Sequence, residues 1–413
     1  MPRLFLFIFT AIFFISCSEE ESPSSGSGDS GGGSNINEVP EKLYVCDQGS
    51  DRVVILNPSS LEQIDVVSID FDSDPMQMDV PHFVVIDEDN GYWFVTTFQS
   101  GFVGMYSLDA DTLISTIEVS SSPALLAVDQ VNQKLYVSRM MDMGMGMDME
   151  MEMAHKLDVL DYSSGELEAN DPVCLSNEVD ILEFPEPHAI SYTSNSDRTG
   201  GVLVTASFTA DWMSRTDVYD SGLFNTVHQP FNDGEQAPVV VNELFPLAVV
   251  QKDNFAFFSC SGSSDANVNA QVQSWVVGEL SDPVFRSKFE FDTNSKLWHI
   301  IESPISNHIF VVLSGDSEDP GSAGVACLSY DSDGIFADEL IWETTSSSYD
   351  TLHGITISSD GSTLYVSSRG NGSVYALDAI TGEQISVNSD VGMMMDGMMM
   401  MGSLSGIAVT QSE

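Results

Sequence analysis

A unit of alternating strands that recurs along the chain constrains its fold more than any other feature. Three clear copies are LYVCDQGSDRVVILNPSSLE (43–62), LYVSR…HKLDVLDYSSGE (135–166) and LYVSSRGNGSVYALDAITGE (364–383). Each copy has an alternating strand, a polar loop rich in Gly, Ser or Asn, and a second strand that ends in Asp or Asn before a turn. The spacing of about 40 to 55 residues, with four short strands per unit, is typical of the blades of a β-propeller.

The apolar inner strands predict the number of blades. We count seven; the first unit lacks an inner strand of its own, whereas a lone strand, LSGIAVT, stands near the C-terminus. We therefore predict an all-β fold, a seven-bladed β-propeller of four-stranded antiparallel blades, in which the C-terminal strand joins the N-terminal blade and leaves no free edge. The predicted inner strands lie near 82–87, 123–128, 188–193, 246–250, 297–302, 353–357 and 404–410.

The repeat resembles the YVTN-type β-propeller repeat of YncE-like and surface-layer proteins. The resemblance extends over residues 41–411; it is strong in the first and last blades and weaker near 183–294. It implies the propeller fold, and it implies almost nothing about function, because many unrelated functions occur on one fold.

The N-terminal residues predict an exported protein with a lipid anchor. A short basic segment, MPR, and an apolar run, LFLFIFTAIFFI, lead to FISC, which ends at Cys17 and resembles the lipobox of bacterial lipoproteins; a plain secretory signal is the alternative. The SEEE that follows resembles the surface-export signal of Bacteroidota lipoproteins. We predict a signal peptide at 1–16, an acylated Cys with a flexible Gly/Ser linker at 17–37, and the propeller at 38–413. The expected location is the outer membrane, at the cell surface or facing the periplasm.

The charge balance argues against one class of partner. The chain has 13 Lys and Arg against 63 Asp and Glu, a formal charge of −50. Nucleic-acid binding depends on basic residues that neutralise phosphates, so we expect no nucleic-acid partner. We expect a monomeric, acidic body that attracts cations.

Four cysteines follow the predicted anchor: Cys46, Cys174, Cys260 and Cys327. An even number of cysteines in an exported protein allows two disulfides. Their spacings are long and irregular, however, and no CxxC pair occurs, so we expect buried, unpaired thiols.

Two methionine-rich runs are the most unusual feature of the chain. They read MMDMGMGMDMEMEMAH at 140–155 and MMMDGMMMM at 393–401. The first run joins the second and third strands of one blade, and the second run precedes the closing strand. Propeller topology places both on one face, which we call the upper face, where the inner strands begin. Met76 and Met78 precede another inner strand, and we also place Met213 in a loop of this face.

Histidines are predicted on the same face. His82, His188, His299 and His353 each stand at the start of an inner strand, around the mouth of the central channel. Thioethers prefer Cu(I), and imidazole binds Cu(I), Cu(II) or Zn(II); the runs also resemble those of bacterial periplasmic copper-handling proteins. We predict a copper ion, with Ag(I) as a further candidate. The predicted ligands are Met76, Met78, His82, Met140, Met141, Met143, Met145, Met147, Met149, Met151, Met153, His155, His188, His299, His353, Met393, Met394, Met395, Met398, Met399, Met400 and Met401.

Other interpretations stay open. The methionine runs can be low-complexity expansions, oxidant scavengers or an adaptable contact surface, and each histidine can have a structural role. The functional alternatives are a non-catalytic propeller that binds proteins or glycans, and a copper-dependent redox enzyme, since nitrous oxide reductase also carries a histidine-ligated copper cluster at the axis of a seven-bladed propeller. A propeller lactonase needs carboxylates and Asn at the channel, where we find only Asp79 near a histidine. We predict no catalytic residues.

Overall fold

The computed structural model describes residues 41–72, 77–119, 122–140, 156–175, 184, 186–196, 199–219, 224–231, 243–263, 268–278, 282–291, 296–315, 321–392 and 404–411. The chain divides into two units, residues 1–39 and 40–413, and every described residue belongs to the second. The predicted signal peptide, the anchor at Cys17 and the Gly/Ser linker lie outside the described residues. Within the described part of the chain, no helix has the length and apolar character that a membrane span requires.

The described fold consists of 28 strands and one turn of 3₁₀ helix at Gln48–Ser50. In chain order the strands are β1 (Leu43–Asp47), β2 (Arg52–Leu56), β3 (Gln63–Ser68), β4 (Pro81–Asp87), β5 (Tyr92–Thr97), β6 (Phe102–Ser107), β7 (Leu113–Glu118), β8 (Pro123–Asp129), β9 (Lys134–Arg139), β10 (Lys156–Asp161), β11 (Glu168–Cys174), β12 (Pro187–Ser194), β13 (Gly200–Ser207), β14 (Trp212–Tyr219), β15 (Phe224–Pro230), β16 (Pro246–Lys252), β17 (Phe255–Cys260), β18 (Gln271–Val276), β19 (Val284–Glu290), β20 (Leu297–Glu302), β21 (His308–Leu313), β22 (Gly324–Ser329), β23 (Trp342–Thr345), β24 (Leu352–Ile357), β25 (Thr363–Ser368), β26 (Val374–Asp378), β27 (Gln384–Asn388) and β28 (Leu404–Val409).

These strands form seven antiparallel four-stranded sheets, which are the blades of a β-propeller. Blade 1 has the order β28-β1-β2-β3, and blades 2 to 7 are built from β4–β7, β8–β11, β12–β15, β16–β19, β20–β23 and β24–β27. The inner strands β28, β4, β8, β12, β16, β20 and β24 pack side by side around the axis. The predicted fold class and blade number are confirmed.

The ring closes as predicted. The C-terminal strand β28 pairs with β1, so that Leu43 lies opposite Val409 and Val45 lies opposite Ile407. The edge of β1 that would be exposed in an open ring is therefore paired with β28. An unpaired edge strand could pair with a strand of another chain, and the closure prevents this. The observed inner strands begin within one residue of their predicted starts.

Burial follows the position of a strand within its blade. All eight residues of β13 are buried, because both faces of this second strand pack against neighbouring blades. The outermost strand β19 alternates between exposed and half-buried residues, as a strand with one solvated face does. Seven hydrophobic clusters result, and each joins the facing side chains of two adjacent blades.

Hydroxyl groups connect some blades at the axis. Thr96 Oγ1 donates to the carbonyl of Ala124 in the next blade (2.8 Å), and Ser367 Oγ donates to the carbonyl of Ser405 (2.6 Å). The Ser367 hydroxyl also accepts a bond from the Gly354 amide (2.9 Å) within its own blade. These second-strand residues thus hold the entrance of one inner strand against the entrance of the next.

Candidate functional site: a histidine cluster at the channel mouth

All seven inner strands begin with the same irregularity. In blade 2, Pro81 lies opposite Thr97, but Phe83 lies opposite Thr96, so the strand carries one extra residue at its start. The same one-residue shift occurs at the start of the other six inner strands. Such a bulge redirects a side chain at the end of a ladder. In five blades the residue before the inner strand also has a left-handed conformation: Val80, Ser122, Glu186, Phe245 and Thr351.

The bulge gives the same local position to three of the predicted histidines. His82, His188 and His353 are each the second residue of an inner strand, and His299 is the third residue of β20. The remaining second residues are Ala124, Leu247, Trp298 and Ser405. The histidines therefore share one level of the ring, at the end of the channel where the inner strands begin.

The structure brings these four side chains together, and we call them the histidine cluster. The ring centres of His299 and His353 are 5.0 Å apart, and those of His82 and His353 are 5.8 Å apart. His188 lies close enough for electrostatic repulsion with each of the other three. All four are at least 93% buried, with exposed fractions of 0% to 7%.

Burial keeps the cluster neutral. It lowers the pKa of His188 to about 4 and that of His299 to about 3. The pKa values of His82 and His353 lie well below the usual value, first because of burial and then because of repulsion by neighbouring histidines and by Arg369. At neutral pH each ring therefore carries one protonated nitrogen and one lone pair, the form that binds metals.

Several ring nitrogens have no hydrogen-bond partner. His188 Nδ1 donates to the Leu247 carbonyl (2.6 Å), which leaves a lone pair on Nε2, and that atom is buried without a partner. Neither ring nitrogen of His353 has a partner. The Nδ1 of His82 bonds the side-chain amide of Gln48 (2.8 Å). A buried polar atom without a partner costs free energy, so these nitrogens mark a place where a ligand would be stabilising.

The surroundings of the cluster were not predicted. Trp298 packs against His353 with ring centres 4.5 Å apart, and Phe83 stacks on His299 at 5.4 Å. Arg369 is half-buried, and no side-chain hydrogen bond or ion pair joins it to the described residues. Alignment of the inner strands on their bulges would have placed Trp298 and Phe83 at this level, but nothing in the sequence signals Gln48 or Arg369.

The structure describes two of the predicted methionine ligands, and it also describes Met213, which we placed in a loop of the upper face without predicting it as a ligand. Met78 is 37% exposed, before β4, and Met140 is half-buried against the core between blades 3 and 4. Met213 is wrong as a loop residue: it lies within β14 and is fully buried. The other predicted ligands lie outside the described residues; they are Met76, Met141, Met143, Met145, Met147, Met149, Met151, Met153, His155, Met393, Met394, Met395, Met398, Met399, Met400 and Met401.

The described ends of both runs agree with the predicted topology. The first run leaves the described chain after Met140, at the end of β9, and rejoins it at Lys156, where β10 begins. The second leaves after Gly392 and rejoins at Leu404, the first residue of the inner strand β28. These points lie on the upper face, which is also the face of the histidine cluster.

The other candidate groups have structural roles. Cys46, Cys260 and Cys327 are buried free thiols, as predicted, whereas Cys174 is exposed, because it ends an outermost strand. Burial raises the pKa of the Cys46 and Cys260 thiols, so neither supplies a thiolate. Asp79 accepts hydrogen bonds from the Phe71 amide (2.9 Å) and from Ser100.

Within the described ranges, no three side chains of His, Cys, Asp or Glu are spaced so that they could together hold a metal ion. Methionine thioethers are a further type of copper ligand. The metal site therefore stays a prediction, and it would need fewer than three ligands of these types, with others supplied elsewhere.

Comparison with known proteins supports the fold. No protein-family model and no curated protein sequence matches the chain. Among solved structures, a functionally unknown protein from Desulfotomaculum acetoxidans is similar, with a TM-score of 0.64, 10% identity, and coverage of 90% of this chain and 99% of the other. A periplasmic gluconolactonase from Pseudomonas aeruginosa has a TM-score of 0.62, 14% identity and coverage of 90% and 99%. A putative 6-phosphogluconolactonase from Bacteroides fragilis has a TM-score of 0.62 and 12% identity, with coverage of 90% of this chain and 98% of the other. These similarities define the class as a seven-bladed β-propeller.

Proposed function

We propose that this protein binds copper ions at its upper face, with imidazoles from the histidine cluster and thioethers from the methionine runs, and that it does so as an exported lipoprotein. One observation carries the proposal. Four neutral, buried histidines converge at the channel mouth, and two of them, His188 and His353, have unpaired ring nitrogens. They lie on the face where the described chain breaks off at each methionine run.

The spacing of the rings suits a shared metal. Two imidazoles that each bind one ion at about 2.0 Å have ring centres roughly 5 to 6 Å apart. The pairs His299–His353 and His82–His353 have centres 5.0 and 5.8 Å apart. Cu(I) accepts soft thioethers together with imidazole. Two histidines and one or two methionines would therefore be enough to hold the ion, without a third ligand from His, Cys, Asp or Glu.

The charge at the mouth favours a monovalent ion. Arg369 lies close enough to His82 and His353 to lower the pKa of each by repulsion. The same field disfavours Cu(II) or Zn(II) more strongly than Cu(I), because the Coulomb energy scales with the charge of the ion. Outside the mouth, the net charge of −50 concentrates cations near the surface.

A competition titration tests the proposal. Purified protein is titrated with Cu(I) against a chromogenic chelator, beside a variant in which the methionines of 141–153 and 393–401 are changed to Leu. Leu keeps the volume and removes the sulfur. A second variant, His353→Leu, removes the histidine that contacts two others, and His308→Leu, at the lower end of β21, is its matched control.

The outcomes separate the functional classes. Weakened Cu(I) binding in both the methionine variant and H353L, with H308L unchanged, supports copper binding by the two groups together. Loss only in H353L places the ion at the histidines and favours the copper-dependent redox enzyme. If the unaltered protein fails to compete with the chelator, copper binding is wrong, and a propeller that binds proteins or glycans through its upper face takes its place.

Arg369 favours a second candidate, the binding of an anionic sugar derivative. Two of the similar structures are named as a gluconolactonase and a putative 6-phosphogluconolactonase, and a half-buried guanidinium beside neutral imidazoles suits a carboxylate or phosphate. Gluconate and 6-phosphogluconate should then raise the thermal midpoint of the protein, and Arg369→Gln should abolish the shift. No shift with either compound removes this candidate.

A further inference from the structure

A cavity lies below the histidine cluster, along the propeller axis. It has a volume of about 540 Å³ and is lined by residues of all seven inner strands. At its upper end, Phe83 of blade 2 stacks on His299 of blade 6, with ring planes 19° apart. Because these blades lie on opposite sides of the ring, the stacked pair closes the channel at the level of the cluster.

Most of the side chains that line this cavity are apolar. They are formed mainly by aliphatic side chains such as Leu126, Ile190, Val249, Ile300 and Ile355, which are nearly buried and keep exposed fractions of 4% to 6%. His299, at the closed end, is neutral because burial lowers its pKa to about 3. The other polar side chains above the rim carry uncharged hydroxyl groups, so no charged side chain there would pair with a charged group inside the channel.

The lower end of the cavity is open and negative. Asp89, Gln130 and Gln411 are exposed there, and Glu88 is half-buried. Glu88 and Asp89 are the charged residues among those that line the cavity, and both come from the end of the blade 2 inner strand. Glu88 also accepts a hydrogen bond from the Gln411 amide, so this carboxylate is fixed at the rim.

We propose that this lower channel binds a rod-shaped cationic amphiphile, with its apolar body between the inner strands and its single cationic head at the Glu88 and Asp89 rim. The volume lies in the range of small-molecule sites. The inner strand from Phe83 to Glu88 rises about 17 Å, enough for a linear alkyl chain. The closed apolar end admits the body, and the acidic rim of a strongly acidic protein selects the sign of the head.

This site differs from the proposed copper site in its ligand and in the end of the channel that its charged head occupies, although His299 borders both. The test uses dodecyltrimethylammonium as the probe, measured by calorimetry below the concentration at which it forms micelles. We expect one site per protein. Shortening the chain should weaken binding by up to about fourfold per methylene removed, since each buried methylene contributes to affinity. Dodecyl sulfate, with the same chain and an anionic head, should not bind at this site.

Two variant pairs locate the site. Ala408→Trp fills the channel from the wall and should abolish binding, whereas Ala110→Trp, in an exposed turn, should not. Glu88→Gln with Asp89→Asn should weaken binding of the cation about three- to tenfold, whereas Glu62→Gln with Glu383→Gln removes the same charge from exposed positions and should change it little.

Two results would overturn the proposal. One is equal binding of the cationic and anionic probes. The other is undiminished binding in A408W, with a native circular dichroism spectrum, which would show that the probe binds elsewhere. If A408W fails to fold, the rim pair decides: equal loss in the rim variant and its exposed control means that the probe follows net charge alone.

Discussion

Replacement of His353 by Leu should make the protein less sensitive to acid. His353 is fully buried, neither of its ring nitrogens has a partner, and its folded-state pKa lies well below the usual value of 6.5. Above pH 6.5 the ring is neutral in both states. Below pH 6.5 the unfolded chain binds a proton that the folded protein does not. The free energy of unfolding therefore decreases as the pH is lowered, until the pH reaches the folded-state pKa.

The size of the effect follows from the width of that pH window. Between pH 6.5 and 5.0, a histidine that stays neutral in the folded state loses about 2 kcal/mol, at about 1.4 kcal/mol per pH unit. Four such histidines lose roughly 8 kcal/mol together, a large part of a typical total of about 5–15 kcal/mol. The rescue expected in the His353→Leu variant is therefore about 2 kcal/mol.

Urea unfolding at pH 7.0 and pH 5.0 measures this rescue as a difference between proteins. The comparison between proteins is needed because of Asp211, whose pKa burial raises to about 6. Protonation of this carboxyl stabilises the folded protein on acidification, so in every variant it offsets part of the free energy of unfolding that the histidines lose. The matched control is His308→Leu at the half-exposed start of β21. The folded-state pKa of His308 is also lowered by burial. Because His308 is less buried than His353, its replacement should recover less of the free energy of unfolding at pH 5.0.

The reasoning fails if H353L and the unaltered protein lose the same free energy between pH 7.0 and 5.0. That result would mean that His353 is already protonated in the folded protein, or that the unfolded chain keeps it neutral. A rescue in H308L as large as that in H353L would equally contradict the assignment of acid sensitivity to the cluster.

Three further predictions concern the scaffold. Ser367→Ala should cost about 1–3 kcal/mol in urea unfolding, because it leaves the Gly354 amide and the Ser405 carbonyl without the hydroxyl between them. Arg215→Leu should cost about 3–5 kcal/mol, since it strips the fully buried Asp217 of its cation; replacing both residues by apolar ones should recover most of that loss in the same assay. Of the four cysteines in the propeller, Cys174 should react first with a thiol reagent in the native protein, and mass spectrometry of the labelled peptides would check this.

Much of the fold could be predicted from the sequence, because it rests on local periodicity. The alternation within each unit and the position of the lone strand near the C-terminus predicted seven blades and the closing pair of β28 with β1. The error at Met213 has a similar origin. The segment ADWMSR carries polar residues on both sides of a buried methionine, and those residues indicated a loop where a blade interface accommodates a strand.

The sequence by itself determined the blade count, the ring closure and the placement of four histidines at the entrances of inner strands, since these depend on the order of strands along the chain. Only the tertiary structure decided the protonation state, the hydrogen bonding and the surroundings of those histidines. Their neutrality, the unpaired nitrogens of His353 and the nearby charge of Arg369 depend on side chains brought together from different blades. So does the Phe83–His299 stack, through which the cluster borders the channel below. No local pattern contains these features, because burial and distance across the axis are properties of the closed ring.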